Sequence, residues 1–84
     1  MENAKYIIIE VKGLETAIIF PAYVQHQEIA QKMGKPVVSA GFVGIGISDG
    51  KMDAEAYGKS TSLKTQARPE DTKIIKRTLN LISF

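Results

Sequence analysis

The dipeptide Asp49-Gly50 constrains the fold of this chain more than any other feature of its sequence. Both central residues of a type I′ β-turn need positive φ, and this dipeptide adopts it readily. On each side of it, apolar side chains recur at every second position; they are Val43, Ile45, Ile47, Met52, Ala54 and Ala56. The pattern predicts a β-hairpin with strands over residues 37–48 and 51–57.

A second hairpin is predicted near the N-terminus. Residues 5–12 are rich in β-branched side chains and have the period of two that is typical of a strand. Gly13 interrupts this run, which resumes over residues 16–20 and ends at Pro21. We therefore expect two antiparallel strands joined by a short glycine-containing turn.

Two other segments have helical periodicity. Residues 22–33 place apolar side chains at helical spacing, and Gly34 followed by Pro36 indicates where this helix ends. Pro69 suits the first turn of a second helix, which has acidic residues near its start and basic residues near its end. The buried stripe of the second helix is predicted to contain Ile74, Ile75, Leu79 and Ile82.

The element order is therefore ββαββα, in a single domain over residues 1–84. At 84 residues, the chain is near the lower size limit for folding alone around one hydrophobic core. We expect an α+β fold in which a four-stranded, mainly antiparallel sheet carries both helices on one face. The other face would stay open, with apolar side chains drawn from Tyr6, Ile8, Ile18 and Phe42. Such a patch indicates association, so we predict a homo-oligomer, in the simplest case a homodimer.

Composition limits the classes of function. The chain has no cysteine, which excludes disulfides, thiolate zinc sites and a cysteine nucleophile. The apolar run over residues 7–9 is too short for a signal peptide or a membrane span, so we expect a cytoplasmic protein without a membrane partner. The net charge of +2 is too small to indicate a nucleic-acid partner by itself.

Two glycine-containing stretches resemble nucleotide-binding motifs without matching them. Residues 58–60 look like the end of a phosphate-binding loop, but Asp53 stands where the first glycine of that motif is needed. Gly41, Gly44 and Gly46 do not have the spacing of a dinucleotide fingerprint. Close approach of a helix or a second backbone to this strand, or a β-bulge in it, explains these glycines better.

No catalytic, cofactor-binding or metal-binding set is predicted. His26 is the only histidine, and its place early in the first helix predicts an exposed or capping side chain. Asp53 and Glu55 share a strand face, which is better explained by contact with water than by a cation. Without a base and nucleophile pair, we expect a protein that is not an enzyme and uses no cofactor.

The last third of the chain is basic and contains the residues best suited to binding a partner. The polar stretch over residues 58–68 is expected to be a loop, with or without a short extended piece. If this loop folds over the final helix, its basic side chains join those of the helix in one patch. This patch would contact phosphates, with an aromatic ring beside it for stacking. The candidate interaction residues are Tyr57, Lys59, Lys64, Arg68, Lys73, Lys76 and Arg77.

Three stretches resemble small uncharacterised proteins encoded by phages and prophages. They are residues 36–42 (PVVSAGF), 60–63 (STSL) and 68–71 (RPED). The resemblance brings no activity, cofactor or site residue, and it implies a small accessory protein that binds another macromolecule. We therefore predict a non-enzymatic binding module that acts on a protein partner. The alternative is a nucleic-acid-binding protein that uses the basic last third of the chain.

Overall fold

A computed structural model describes residues 2–79; Met1, residues 80–84 and the side chains of Glu2 and Ser48 lie outside the description. The main sheet has four strands: β1 (Glu2–Val11), β2 (Leu14–Pro21), β3 (Val37–Ser48) and β4 (Lys51–Tyr57). A small separate hairpin consists of β5 (Lys59–Ser60) and β6 (Thr65–Gln66). The helices are α1 (His26–Met33) and α2 (Asp71–Thr78).

The strands of the main sheet lie in the order β2-β1-β3-β4, and each neighbouring pair is antiparallel. Asp49 and Gly50 have φ of 52° and 75°, and Lys12 and Gly13 have φ of 53° and 80°. Both hairpins therefore close through a two-residue turn with positive φ at each position. The α+β class, the four-stranded sheet and the bounds of β3 and β4 are confirmed.

The two helices lie on opposite faces of the sheet, not on one face as expected from the sequence. Tyr6 and Ile8 of β1 pack with Ile74 and Ile75 of α2. The alternate residues of β1 belong to a second cluster that includes side chains of α1. The physical reason is that β1 is a central strand with apolar side chains on both faces, and each face needs a cover.

Because α2 contacts both edge strands, the sheet curls around it. On β4, the backbone N–H of Ala56 donates to Thr72 Oγ1 at 3.0 Å. On β2, the Arg77 guanidinium donates to the backbone carbonyl of Glu15 at 2.9 Å. The α2 side is called the concave face below, and the α1 side is called the convex face.

Two further expectations differ from the structure. The helix expected over residues 22–33 begins only at His26, because a turn in which the Val24 N–H donates to the Pro21 carbonyl precedes it. The expected open apolar face is wrong, since Tyr6 and Ile8 are fully buried beneath α2, and Ile18 and Phe42 are half-buried on the convex face. Residues 58–68 agree with the expected loop with a short extended piece, because they contain only the two-residue strands β5 and β6.

The sequence predicts Pro69 in the first turn of the second helix. In the structure this helix begins two residues later, at Asp71. Ile74 and Ile75 are buried and Leu79 packs against the same cluster, which confirms that part of the stripe. Ile82, the last member of the predicted stripe, lies outside the described residues.

The start of α2 is fixed by Asp71, whose side chain is fully buried. The Tyr6 hydroxyl donates to Asp71 Oδ2 at 2.6 Å, and Arg68 donates through its backbone N–H at 3.0 Å and through Nε at 2.9 Å. Burial disfavours the charged carboxylate, but these hydrogen bonds outweigh it and hold the pKa of Asp71 below its ordinary value. Arg68 also pairs with Glu15 of β2 at 2.8 Å, so the cluster joins α2 to two strands.

Replacement of Tyr6 with phenylalanine is expected to lower the free energy of unfolding by about 1–3 kcal/mol, because it removes a donor from a buried carboxylate. The matched control is Tyr23→Phe, which removes the same hydroxyl from an exposed ring and should change stability by less than about 0.5 kcal/mol. Urea denaturation of both variants measures the difference. Equal effects would show that the Tyr6 hydroxyl does not support the cluster.

Candidate functional site

A row of four side chains crosses the convex face, one from each strand of the main sheet. Lys5 of β1 is directly opposite Phe20 on one side and Phe42 on the other, and Phe42 is opposite Tyr57 of β4. The Phe42 and Tyr57 rings stack at 5.8 Å between centroids and 24° between planes. Lys5 Nζ lies 5.9 Å from the Phe42 ring centroid, within the range of a cation–π contact.

His26, the first residue of α1, lies over this row. Its ring meets Phe20 and Phe42 edge-on at 5.6 Å and 5.8 Å, and it is buried. His26 Nε2 lies 2.7 Å from the carbonyl oxygen of Gly41, and a carbonyl can only accept, so Nε2 carries the proton and donates. Burial lowers the pKa of His26; the hydrogen bond to Gly41 opposes this effect, and the positive charge of Lys5 adds to it.

The expectation that His26 is exposed or capping is therefore wrong. Its side chain packs between two aromatic rings of the sheet, and no side-chain hydrogen bond caps the start of α1 at Gln25. Through these contacts and its hydrogen bond to Gly41, His26 holds the first turn of α1 against the convex face.

The β5–β6 hairpin is held against β3 by two glycines. At Gly41, an added Cβ would lie 2.6 Å from the carbonyl oxygen of Tyr57, so only glycine permits this approach. The expectation that a second backbone approaches the glycines of β3 is thus confirmed at Gly41. Gly58 has a φ of 74° and lies against the Phe42 ring, and its carbonyl accepts from the N–H of Ala67 at 3.0 Å. These contacts place the hairpin beside the aromatic row.

The row, the hairpin and the start of α1 enclose an open groove of about 620 Å³. A second, adjoining groove of about 500 Å³ lies along the hairpin, and Lys59 and Thr61 line both grooves. Lys5 lines the first groove and Lys64 the second, and no carboxylate is among the described residues that line either groove. The combined surface is therefore positively charged. The residues of the first groove are Lys5, Gln25, His26, Phe42, Tyr57, Gly58, Lys59, Thr61 and Ser62.

Only some of the candidate interaction residues come together at this groove. Tyr57 and Lys59 line it directly, and Lys64 lies on the adjoining part of the hairpin. Lys73, Lys76 and Arg77 belong to α2 on the concave face, so the patch that the sequence predicts is divided between two faces.

Three of the basic side chains are also held by partners within the protein. Arg68 pairs with Glu15 and Asp71, both at 2.8 Å, and Lys76 pairs with Asp53 at 2.9 Å. Arg77 donates to a backbone carbonyl of β2. These residues stabilise the position of α2, and Lys73 is the exposed basic residue of this helix without such a contact among the described residues.

Sequence reasoning missed Lys5, Phe42 and His26 as members of the groove. Part of the row could have been predicted, because a two-residue turn fixes the register of its two strands. The two hairpin turns place Lys5 opposite Phe20 and Phe42 opposite Tyr57. The contact that unites these pairs is the β1–β3 pairing, and no local signal in the sequence predicts it.

No His, Asp or Glu side chains within residues 2–79 come together in a group of three that could hold a metal ion. Asp53 and Glu55, the pair considered for a cation, are exposed, and Asp53 is the one that pairs with Lys76. Neither described helix is long and apolar enough to cross a membrane.

No family model, no curated protein and no solved structure matches this chain. The resemblance to phage-encoded proteins therefore stays a prediction.

Lowering the pH from about 7.5 to about 5.5 is expected to destabilise the protein through His26. Its pKa in the folded state is below the ordinary 6.5, so the unfolded chain binds the proton more readily and stability is lost as the pH falls through 6.5. The slope cannot exceed about 1.4 kcal/mol per pH unit. Chemical denaturation at several pH values measures it.

His26→Gln provides the control, because the chain has no other histidine and its carboxylates titrate mostly at lower pH. This variant should be less stable at every pH but should lose most of the pH dependence in this window. A variant that keeps the slope of the parent protein would show that another group causes it.

Proposed function

We propose that this protein is a non-enzymatic binding module whose groove holds single-stranded nucleic acid. The observation that carries the proposal is Tyr57, which is 43% exposed, has its ring stacked on Phe42, and lines the groove together with Lys5 and Lys59. A planar base stacks on an exposed aromatic ring whatever its sequence, and lysines beside the ring contact the phosphates. Exposed hydroxyls of Thr61 and Ser62 supply further hydrogen bonds along the groove.

Each end of the groove has its own source of positive charge. Lys5 donates to the backbone carbonyl of Val24 at 3.0 Å, which leaves its other ammonium hydrogens for a ligand and fixes the charge beside Phe42. Lys59 and Lys64 are exposed on the hairpin. A backbone that passes from Lys5 over Tyr57 to the hairpin meets no carboxylate among the lining residues.

The nearest carboxylate on the same strand face is Glu55, two residues before Tyr57 on β4. Its negative charge opposes a phosphate at this end of the groove. Glu55→Gln is therefore expected to strengthen oligonucleotide binding, which gives the proposal a variant that gains affinity as well as variants that lose it.

Binding is tested by fluorescence anisotropy with a labelled thymidine oligonucleotide of about ten nucleotides at several salt concentrations. Contacts from three lysines predict a slope of log Kobs against log salt of about −2. Tyr57→Ala should weaken binding by about fivefold or more, because it removes one stacked base. Lys59→Glu should weaken binding and reduce the slope by about 0.7.

Lys73→Glu is the matched control for Lys59→Glu, because it makes the same charge change on the concave face. It should leave affinity nearly unchanged. Equal losses from both lysine variants would place the ligand elsewhere or show that only net charge matters. No change in fluorescence anisotropy on adding protein at low salt would contradict the proposal. A polyglutamate peptide that binds as tightly as the oligonucleotide would point to an acidic protein partner instead.

A protein partner is the second candidate function, and one observation favours it. Ile47 and Met52 are directly opposite each other at the end of the β3–β4 hairpin, and both are exposed. For this function, a photo-crosslinker at residue 47 should capture a partner that the same probe at exposed Glu28 of α1 does not. Replacement of Met52 with serine should abolish the capture.

A further inference from the structure

The base of the β5–β6 hairpin carries a pair of exposed side chains with different chemistry. Lys59 of β5 and Gln66 of β6 are directly opposite each other, and both are exposed. Side chains of directly opposed residues lie on one face of a hairpin, with their Cβ atoms about 5 Å apart. Lys59 lines both grooves, and Gln66 lines the second groove beside it. The pair therefore presents a positive charge and a neutral amide to the same ligand.

The contacts that hold the hairpin also fix the position of this pair. Its neighbours in the sequence, Gly58 and Ala67, are joined by the hydrogen bond from the Ala67 N–H to the Gly58 carbonyl at 3.0 Å. Gly58 also lies against the Phe42 ring. Lys59 follows Tyr57 by two residues, which span at most about 7 Å. A base stacked on Tyr57 thus has its own sugar and phosphate within reach of the pair.

The second groove differs from the first in its chemistry. The aromatic rings of Phe42 and Tyr57 line the first groove. The described residues that line the second groove are two lysines and four neutral residues with hydroxyl or amide groups: Lys59, Lys64, Ser60, Thr61, Thr65 and Gln66. Bases therefore suit the first groove, and a sugar–phosphate backbone suits the hairpin. The lysines match the phosphates, and the neutral groups match the hydroxyls of a sugar.

We propose that this protein binds RNA in preference to DNA, and that the Lys59–Gln66 pair distinguishes the two sugars. This preference rests on the proposed binding of single-stranded nucleic acid. In RNA, the carbon that carries the 2′-hydroxyl is bonded to the carbon that carries the 3′-phosphate, so the two groups are neighbours. The Lys59 ammonium binds the phosphate, and the Gln66 amide, which has both a donor and an acceptor, hydrogen-bonds to the 2′-hydroxyl. In DNA, a hydrogen on carbon replaces this hydroxyl and leaves the amide without its partner.

Two oligonucleotides that differ only in the 2′-hydroxyl test the preference. They are labelled chains of about ten uridines and of the same number of deoxyuridines, a length that suits a single-strand site of this kind. Fluorescence anisotropy measures the affinity of the protein for each chain at the same salt concentration. We expect the uridine chain to bind about fivefold more tightly, which corresponds to one net hydrogen bond.

Gln66→Met tests whether the pair causes the preference, because it keeps the length of the side chain and removes its hydrogen-bonding groups. It should lower the affinity for the uridine chain to that for the deoxyuridine chain, and leave the affinity for the deoxyuridine chain nearly unchanged. The matched control is Gln25→Met, which makes the same change at another exposed glutamine, in the lining of the first groove. This control should keep the ratio of the two affinities.

The outcomes separate this inference from the proposed function. Equal affinities of the parent protein for the two chains would overturn the preference for RNA and leave the binding of single-stranded nucleic acid supported. A ratio that Gln66→Met does not change would overturn the assignment of the preference to the Lys59–Gln66 pair. Binding of neither chain at low salt would contradict the proposed function, and the preference with it.

Discussion

The buried carboxylate of Asp71 is the interaction on which the arrangement of this protein depends. It lies where α2 begins, and its ligands come from the central strand through Tyr6 and from the preceding loop through Arg68. A buried charge is tolerated only when it is fully hydrogen-bonded, so this point of attachment has little freedom. Because α2 bridges both edge strands, its placement sets the curl of the sheet. The aromatic row lies on the other, convex face of the same curled sheet, because side chains alternate between the two faces along each strand.

Local signals in the sequence predicted the elements of this fold well. The Asp49-Gly50 turn and the alternation around it gave the bounds of β3 and β4, since turn chemistry and side-chain period are local properties. Gly34 takes the left-handed conformation that ends α1, as its position after the last helical residue predicted. The start of α1 was placed too early because apolar residues after Pro21 fit a helical pattern, although they form a turn.

The arrangement of the elements was not predictable in the same way. The run Tyr6-Ile7-Ile8-Ile9 is apolar on both faces, which is typical of a strand covered on both sides. An amphipathic pattern on two helices does not say which face of the sheet each one covers. Likewise, the sequence shows which residues are charged but not which of them form ion pairs with each other. Arg68 and Lys76 were predicted to belong to a binding patch, but their ion pairs hold α2 in place. The groove joins residues that are far apart in the sequence, and only long-range strand pairing brings Lys5 to Phe42.

The side chains that occupy the outer donors of β4 have a consequence for assembly. A sheet with two free edges is a template for indefinite growth, in which each added molecule exposes a fresh edge to the next. Here Asp53 and Thr72 close one end of that template. An added strand would find the N–H groups of Ala54 and Ala56 already occupied, which hinders growth of the sheet through β4.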